Sequence, residues 1–152
     1  MALPSIFQKD VADKIIARIN TLTPAAQPQW GKMNVSQMLA HCNVTYELVY
    51  DNKHPNPNGF VKLLLKLFVK NAVVSETPYK HNSRTAPVFL VTTEKKFNTE
   101  KERLINYITR TQQLGEKEFD GKPSNSFGPL SKTEWNNMFY KHLDHHLRQF
   151  GV

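Results

Sequence analysis

Apolar residues recur along this chain at helical spacing far more often than in strand-like alternation. Val11, Ile15, Ile19 and Leu22 share one face of a segment running from Ser5 to Thr21, which predicts a first helix. Pro24 and Pro28 then interrupt the pattern. Asn34-Val35-Ser36-Gln37 has the form of a capping box and opens a second helix to about Tyr50, with Val35, Met38, Cys42, Thr45 and Val49 on its apolar face. His54-Pro55-Asn56-Pro57-Asn58-Gly59 reads as a loop. A third helix is expected from Phe60 to Ala72, with Leu63, Leu64, Leu67 and Phe68 inward and Lys62, Lys66 and Lys70 outward. From Val73 to Phe97 no period emerges. Pro78 and Pro87 forbid one long helix there, and Val88 to Val91 fits a short strand or a packed loop. Thr99-Glu100-Lys101-Glu102 predicts the start of a fourth helix ending at Leu114 before Gly115. Ser131-Lys132-Thr133-Glu134 opens a last helix that reaches Phe150. Four main helices and a shorter one, joined by long Pro- and Asn-rich loops, predict an all-α helical bundle forming a single domain over 1–152.

Composition narrows the function classes. A chain of 152 residues buries a core without covalent staples, and the single cysteine, Cys42, excludes an internal disulfide framework. Met1-Ala2-Leu3-Pro4-Ser5 carries neither a basic nor a long apolar leader region, so a cytoplasmic location is expected. The longest apolar stretch, Phe60 to Val74, is broken by three lysines and Asn71, and no membrane partner is expected. The lysine stripe fits a solvated face better than an anionic lipid contact. A net charge of +7 suits an anionic small-molecule substrate. Nucleic acid is not the expected partner, because no basic run exceeds two residues and no aromatic-basic interleaving resembles a base-stacking platform.

The chemistry concentrates near the C-terminus, in His142-Leu143-Asp144-His145-His146. At about 100° per residue, His142 and His146 lie roughly 40° apart around a helix, and His145 lies roughly 60° from His142 on the other side. Two imidazoles one turn apart can hold one ion, and His41 on the second helix is the candidate third ligand. His142 and His146 also fall inside the apolar stripe Trp135, Met138, Phe139, Leu143 and Phe150, so each buried ring needs partners for both nitrogens. Zinc is the default ion for three imidazoles, and nickel, iron and manganese remain compatible. Blander readings stand beside this one. A His-x-x-x-His pair taken alone is more often hydrogen-bonded than metallated, and a lone His41 is more often an ordinary helix residue. His54 and His81 read as surface residues and Cys42 as a small core residue. Asp144 and Arg148 are spaced for an ion pair, and His145, Gln149 and Gln37 are candidates for supporting the ligands or touching substrate.

Two segments carry a family resemblance. Trp30-Gly31-Lys32-Met33-Asn34-Val35-Ser36-Gln37-Met38-Leu39-Ala40-His41-Cys42 and Tyr140-Lys141-His142-Leu143-Asp144-His145-His146-Leu147-Arg148-Gln149-Phe150-Gly151 resemble the DinB/YfiT-like metalloenzyme superfamily, in particular an uncharacterised branch with this C-terminal segment. The resemblance spans nearly the whole chain in helix order. It implies a four-helix bundle in up-down-down-up arrangement, often dimeric, hence a homodimer as an expected partner state. It also implies a divalent metal, zinc or nickel foremost, held by His41, His142 and His146. Better-known relatives are transferases and isomerases that use bacillithiol, mycothiol or glutathione, so the function implied is a metal-dependent S-transferase or isomerase using a low-molecular-weight thiol. A metal-dependent hydrolase and a non-catalytic metal-binding or interaction module are the alternatives, the former needing a general base that neither segment supplies as a carboxylate.

Overall fold

The computed structural model describes residues 2–152. Met1, which enters the reading of the N-terminus above, lies outside them. In chain order the helices are α1 (Lys9–Thr21), α2 (Val35–Tyr50), α3 (Gly59–Phe68), α4 (Lys70–Val74), α5 (Phe97–Leu114), α6 (Glu116–Phe119) and α7 (Lys132–Gln149). A 3-10 turn at Pro87–Phe89 and a minimal antiparallel pair, β1 (Pro123–Ser124) and β2 (Gly128–Pro129), complete the described elements. The protein is therefore mostly helical, and no described helix is long and apolar enough to cross a membrane.

Helices α2 and α7 begin where the capping boxes place them. The Asn34 side chain accepts from the Gln37 amide at 2.9 Å while Gln37 Oε1 accepts from the Asn34 amide at 3.0 Å. Ser131 and Glu134 repeat the exchange at the start of α7, at 3.2 and 2.9 Å. Each box satisfies two otherwise orphaned donors. The α1 stripe is buried as expected through Val11, Ile15, Ile19 and Leu22. Trp135, Phe139 and Leu143 of α7 join it in one core, capped by Phe119 of α6 and stacked against Tyr46 of α2.

Three expectations are corrected. The first helix starts at Lys9 because Asn136 of α7 captures the backbone before it, accepting from the Ile6 amide at 2.8 Å and donating to the Pro4 carbonyl at 3.1 Å. The fourth begins at Phe97, since the Glu100 carboxylate binds Asn43 and Arg103 instead of closing a cap on Thr99. Of the two readings of Val88 to Val91 the packed loop holds, a 3-10 turn that packs against α2. The remaining correction concerns α3, which ends at Phe68 and presents outward the apolar residues expected inside: Leu63, Leu64, Leu67 and Phe68 are all exposed. Leu65 alone of its leucines packs against the core.

Helix α2 is enclosed from Val35 to Glu47 on nearly every side, polar residues included. That requires partners, since an unsatisfied buried polar group costs about 1–3 kcal/mol. Asn43 donates to the Glu100 carbonyl and carboxylate at 3.0 and 2.9 Å. Glu47 is bridged to Arg103 of α5 and accepts from His54 Nε2 at 2.7 Å. Burial alone would raise the Glu47 carboxyl, yet Arg103 and His54 outweigh it and hold the group below its ordinary value. The folded state thus binds this proton less readily than the unfolded chain. Its stabilisation is present above the unfolded carboxyl range, about pH 4.3, and is lost as pH falls through the lower folded value. Glu47→Gln should therefore destabilise the protein at neutral pH by about 1–3 kcal/mol in chemical denaturation, with a smaller difference from wild type under strong acid; an equal difference at both extremes would refute the linkage.

Candidate metal centre

His41 projects from the middle of α2, and His142 and His146 from successive turns of α7. One ligand atom of each lies within 4.8 Å of the others. The ring centroids are 4.9 Å apart for His41–His142, 4.5 Å for His41–His146 and 4.8 Å for His142–His146. His41 and His146 are buried and His142 is partly exposed, so the cluster opens on one side. Tetrahedral zinc with Zn–N near 2.0–2.1 Å needs ligand nitrogens about 3.3 Å apart, a spacing inside the range these rings span.

The hydrogen bonds determine which nitrogen each ring offers. His41 Nδ1 faces the Phe89 carbonyl at 2.8 Å, and a carbonyl only accepts, so Nδ1 carries the proton and Nε2 a lone pair. Gln149 Nε2 donates to the Trp30 carbonyl at 2.7 Å, which turns Gln149 Oε1 toward His146 Nδ1, also at 2.7 Å. His146 is therefore protonated at Nδ1 as well, with Nε2 free. His142 differs. Its Nε2 lies 2.9 Å from His41 Nε2 and its Nδ1 lies 3.0 Å from Thr45 Oγ1. Because His41 Nε2 is an acceptor, His142 donates from Nε2 here, and the Thr45 hydroxyl donates to His142 Nδ1. For His142 Nε2 to become a ligand, the proton must sit on Nδ1, and the Thr45 hydroxyl must rotate to accept it. A hydroxyl supports both tautomers.

Electrostatics agree with this assignment. Burial lowers the His41 pKa despite the opposing Phe89 hydrogen bond. His142 is pushed well down by burial and by the neighbouring imidazoles His146, His41 and His145. Burial, with His41 beside it, brings His146 to about 3. Neutral imidazoles are the form that binds a metal.

Around the triad stands an aromatic rim. Trp30 stacks on the exposed His81 at 3.7 Å, and His145 meets Trp30, Tyr79 and His81 edge-on at 5.7, 5.6 and 6.0 Å. His145 thus flanks the triad, half-buried, without facing into it as the other three do. Asp144 points away, held by Arg18 and Arg148 at 2.8 Å each. Gln37 is occupied by its cap and by the Thr93 carbonyl at 3.4 Å. Cys42 is buried, and burial raises its thiol pKa. His54 is tied to Glu47. Thr45, Phe89 and Gly31 were not singled out as site residues by the sequence. Gly31 has φ +83°, and a Cβ there would stand 2.6 Å from Gln149 Nε2, so only glycine lets Gln149 reach Trp30 and brace His146. A glycine beside a capping motif carries no hint of that approach.

The chain matches, over residues 6–151, a family described as a protein of unknown function (DUF1569). The chain belongs to that family. No curated protein and no solved structure matches it.

Thr45→Val removes the acceptor that the ligating tautomer of His142 needs, and Gln149→Ala removes the brace on His146. Each should weaken Zn²⁺ affinity about 10–100-fold in competition with a chromophoric chelator, the usual loss when a ligand's hydrogen-bond partner is deleted. Wild-type affinity in both variants would show that these contacts do not set the ring tautomers.

Proposed function

We propose that this protein is a metal-dependent enzyme whose divalent ion is held by His41, His142 and His146. One observation carries the reading: three neutral imidazoles from two helices converge with their ligand atoms within 4.8 Å, each ring's Nδ1 already engaged by a partner outside the cluster. Three protein ligands leave a position for a water or substrate, as catalytic sites do and closed structural sites do not. The resemblance to DinB/YfiT-like metalloenzymes points the same way, and with it the reading of the long helices as an up-down-down-up bundle in a single domain.

The donor set fits zinc or nickel: all nitrogen, neutral, with outer hydrogen bonds in place. A bound divalent ion would supply Lewis acidity, lowering the pKa of a coordinated thiol or water. The remaining roles fall to the chain's own groups. Thr45, Phe89 and Gln149 hold the rings in position. Trp30, Tyr79 and His145 wall the open side and restrict what approaches. Neither Asp144 nor Glu47 is available there as a base, each being committed to arginine. That disfavours hydrolysis through carboxylate-assisted water attack and favours a substrate carrying its own nucleophile. A low-molecular-weight thiol meets that requirement, and its carboxylates suit a chain of net charge +7. The reaction class is accordingly S-transfer or thiol-assisted isomerisation, in a soluble, cytoplasmic setting.

Elemental analysis of untagged protein should return about one zinc or nickel per chain, and His146→Ala should lose it while keeping the helical circular dichroism of wild type. The metallated protein should accelerate transfer of bacillithiol, mycothiol or glutathione to a model electrophile, with His146→Ala at least about 100-fold slower. Absence of any metal uptake would sink the site. Stoichiometric metal without thiol transfer would retain the site and remove the transferase.

A further inference from the structure

Helix α3 breaks the rule that an amphipathic helix turns its apolar side to the core. Phe60 is 70% exposed, Leu67 64% and Phe68 77%, with Leu63 and Leu64 beside them. No α3 residue is buried. From Gly59 to Val74 the sequence contains three lysines and no acidic residue. Lys62 and Lys66 lie on the side of the helix away from the apolar arc, and Lys70 reaches back to Glu134 of α7 at 2.7 Å.

The helix is nevertheless fixed in place. Its continuation, α4, is tied to α7 by Asn137 donating to the Val74 carbonyl at 2.9 Å, and by Lys141 donating to the Ala72 and Ser75 carbonyls at 2.9 and 2.5 Å. The start of the helix is capped by Asn58, which accepts from the Val61 amide at 2.9 Å. An apolar face this large and this firmly presented is costly in water and marks a contact surface.

We propose that α3 docks this protein on an anionic lipid surface. Two observations select that occupant. The helix turns an apolar arc outward and carries only basic charge on its polar side, the composition of helices that lie in an anionic bilayer interface. A second copy of the chain fits it less well, because two copies of a chain of net charge +7 meeting there would bring like charges together. Because α3 and α4 hang on α7, docking would hold the histidine cluster at a set height above the membrane.

The test is co-sedimentation of the full chain with vesicles of phosphatidylcholine alone or with about one-third phosphatidylglycerol, near the charge of a natural anionic leaflet. Binding should appear on the anionic vesicles. Lys62→Gln with Lys66→Gln should lower it about 25-fold, near fivefold per lysine. Leu67→Glu with Phe68→Glu should abolish it, with circular dichroism and Zn²⁺ affinity unchanged because these side chains face outward. Failure of wild type to bind anionic vesicles overturns the proposal, as does undiminished binding by the Leu67/Phe68 variant. A wild-type dimer that the same variant converts to monomer would assign the face to a second copy and overturn it equally.

Discussion

Burying polar side chains along α2 is the constraint from which the rest of this structure follows. A helix enclosed on all sides has no solvent to satisfy His41, Asn43, Thr45 or Glu47. Each must find a partner elsewhere, and three neighbouring elements supply them. Asn43 and Glu47 draw in α5, Thr45 draws in His142 of α7, and His41 draws in the Phe89 carbonyl of the 3-10 turn. Hydrophobic contact is indifferent to small slips, whereas these directional bonds are not. The register between α2 and α7, and hence the meeting point of three imidazoles, is set by that difference.

The three imidazoles are closely packed. Three rings packed with centroids below 5 Å apart are kept neutral by burial and by one another. They share one proton-mediated contact, His142 Nε2 to His41 Nε2. His146 is held from outside the cluster, its Nδ1 donating to Gln149 Oε1 at 2.7 Å. A folded core tolerates such an arrangement when the site does something that a packed leucine could not. The outer partners show the same logic. Phe89 and Trp30 contribute carbonyls, which accept and never donate, and so decide the tautomers of His41 and His146 without ambiguity. Thr45, the partner of His142, is the one group able to switch role.

Local patterns in the sequence made part of this legible. Capping boxes at Asn34 and Ser131 are short-range chemistry, and both helices start there. The His142–His146 spacing is helix geometry, and both rings fall on the cluster. What escaped prediction depends on residues far apart in the chain. Asn136 unwinds the first turn expected of α1, and Asn43 diverts the Glu100 carboxylate expected to cap α5. Gly31 matters only because Gln149, more than a hundred residues away, passes 2.6 Å from where its Cβ would be. The 3-10 turn that supplies Phe89 lies in the stretch without any hydrophobic period, and its contribution is a backbone atom that no side-chain pattern encodes.

The inversion of α3 has a different origin. Periodicity reports the width and direction of an apolar arc around a helix axis, but says nothing about what lies beyond it. The inward assignment of Leu63, Leu64, Leu67 and Phe68 rested on the premise that water is the only medium outside the core. The long helices already fill that core with their own stripes, and α3 is held by its α4 continuation instead of by its leucines. Where a chain spends five large apolar side chains on an outward face while tethering the backbone beneath them, the premise about the medium fails before the helical pattern does. The same residues that broke the reading of a membrane-crossing segment, Lys62, Lys66 and Lys70, are those that suit a helix lying flat on a charged interface.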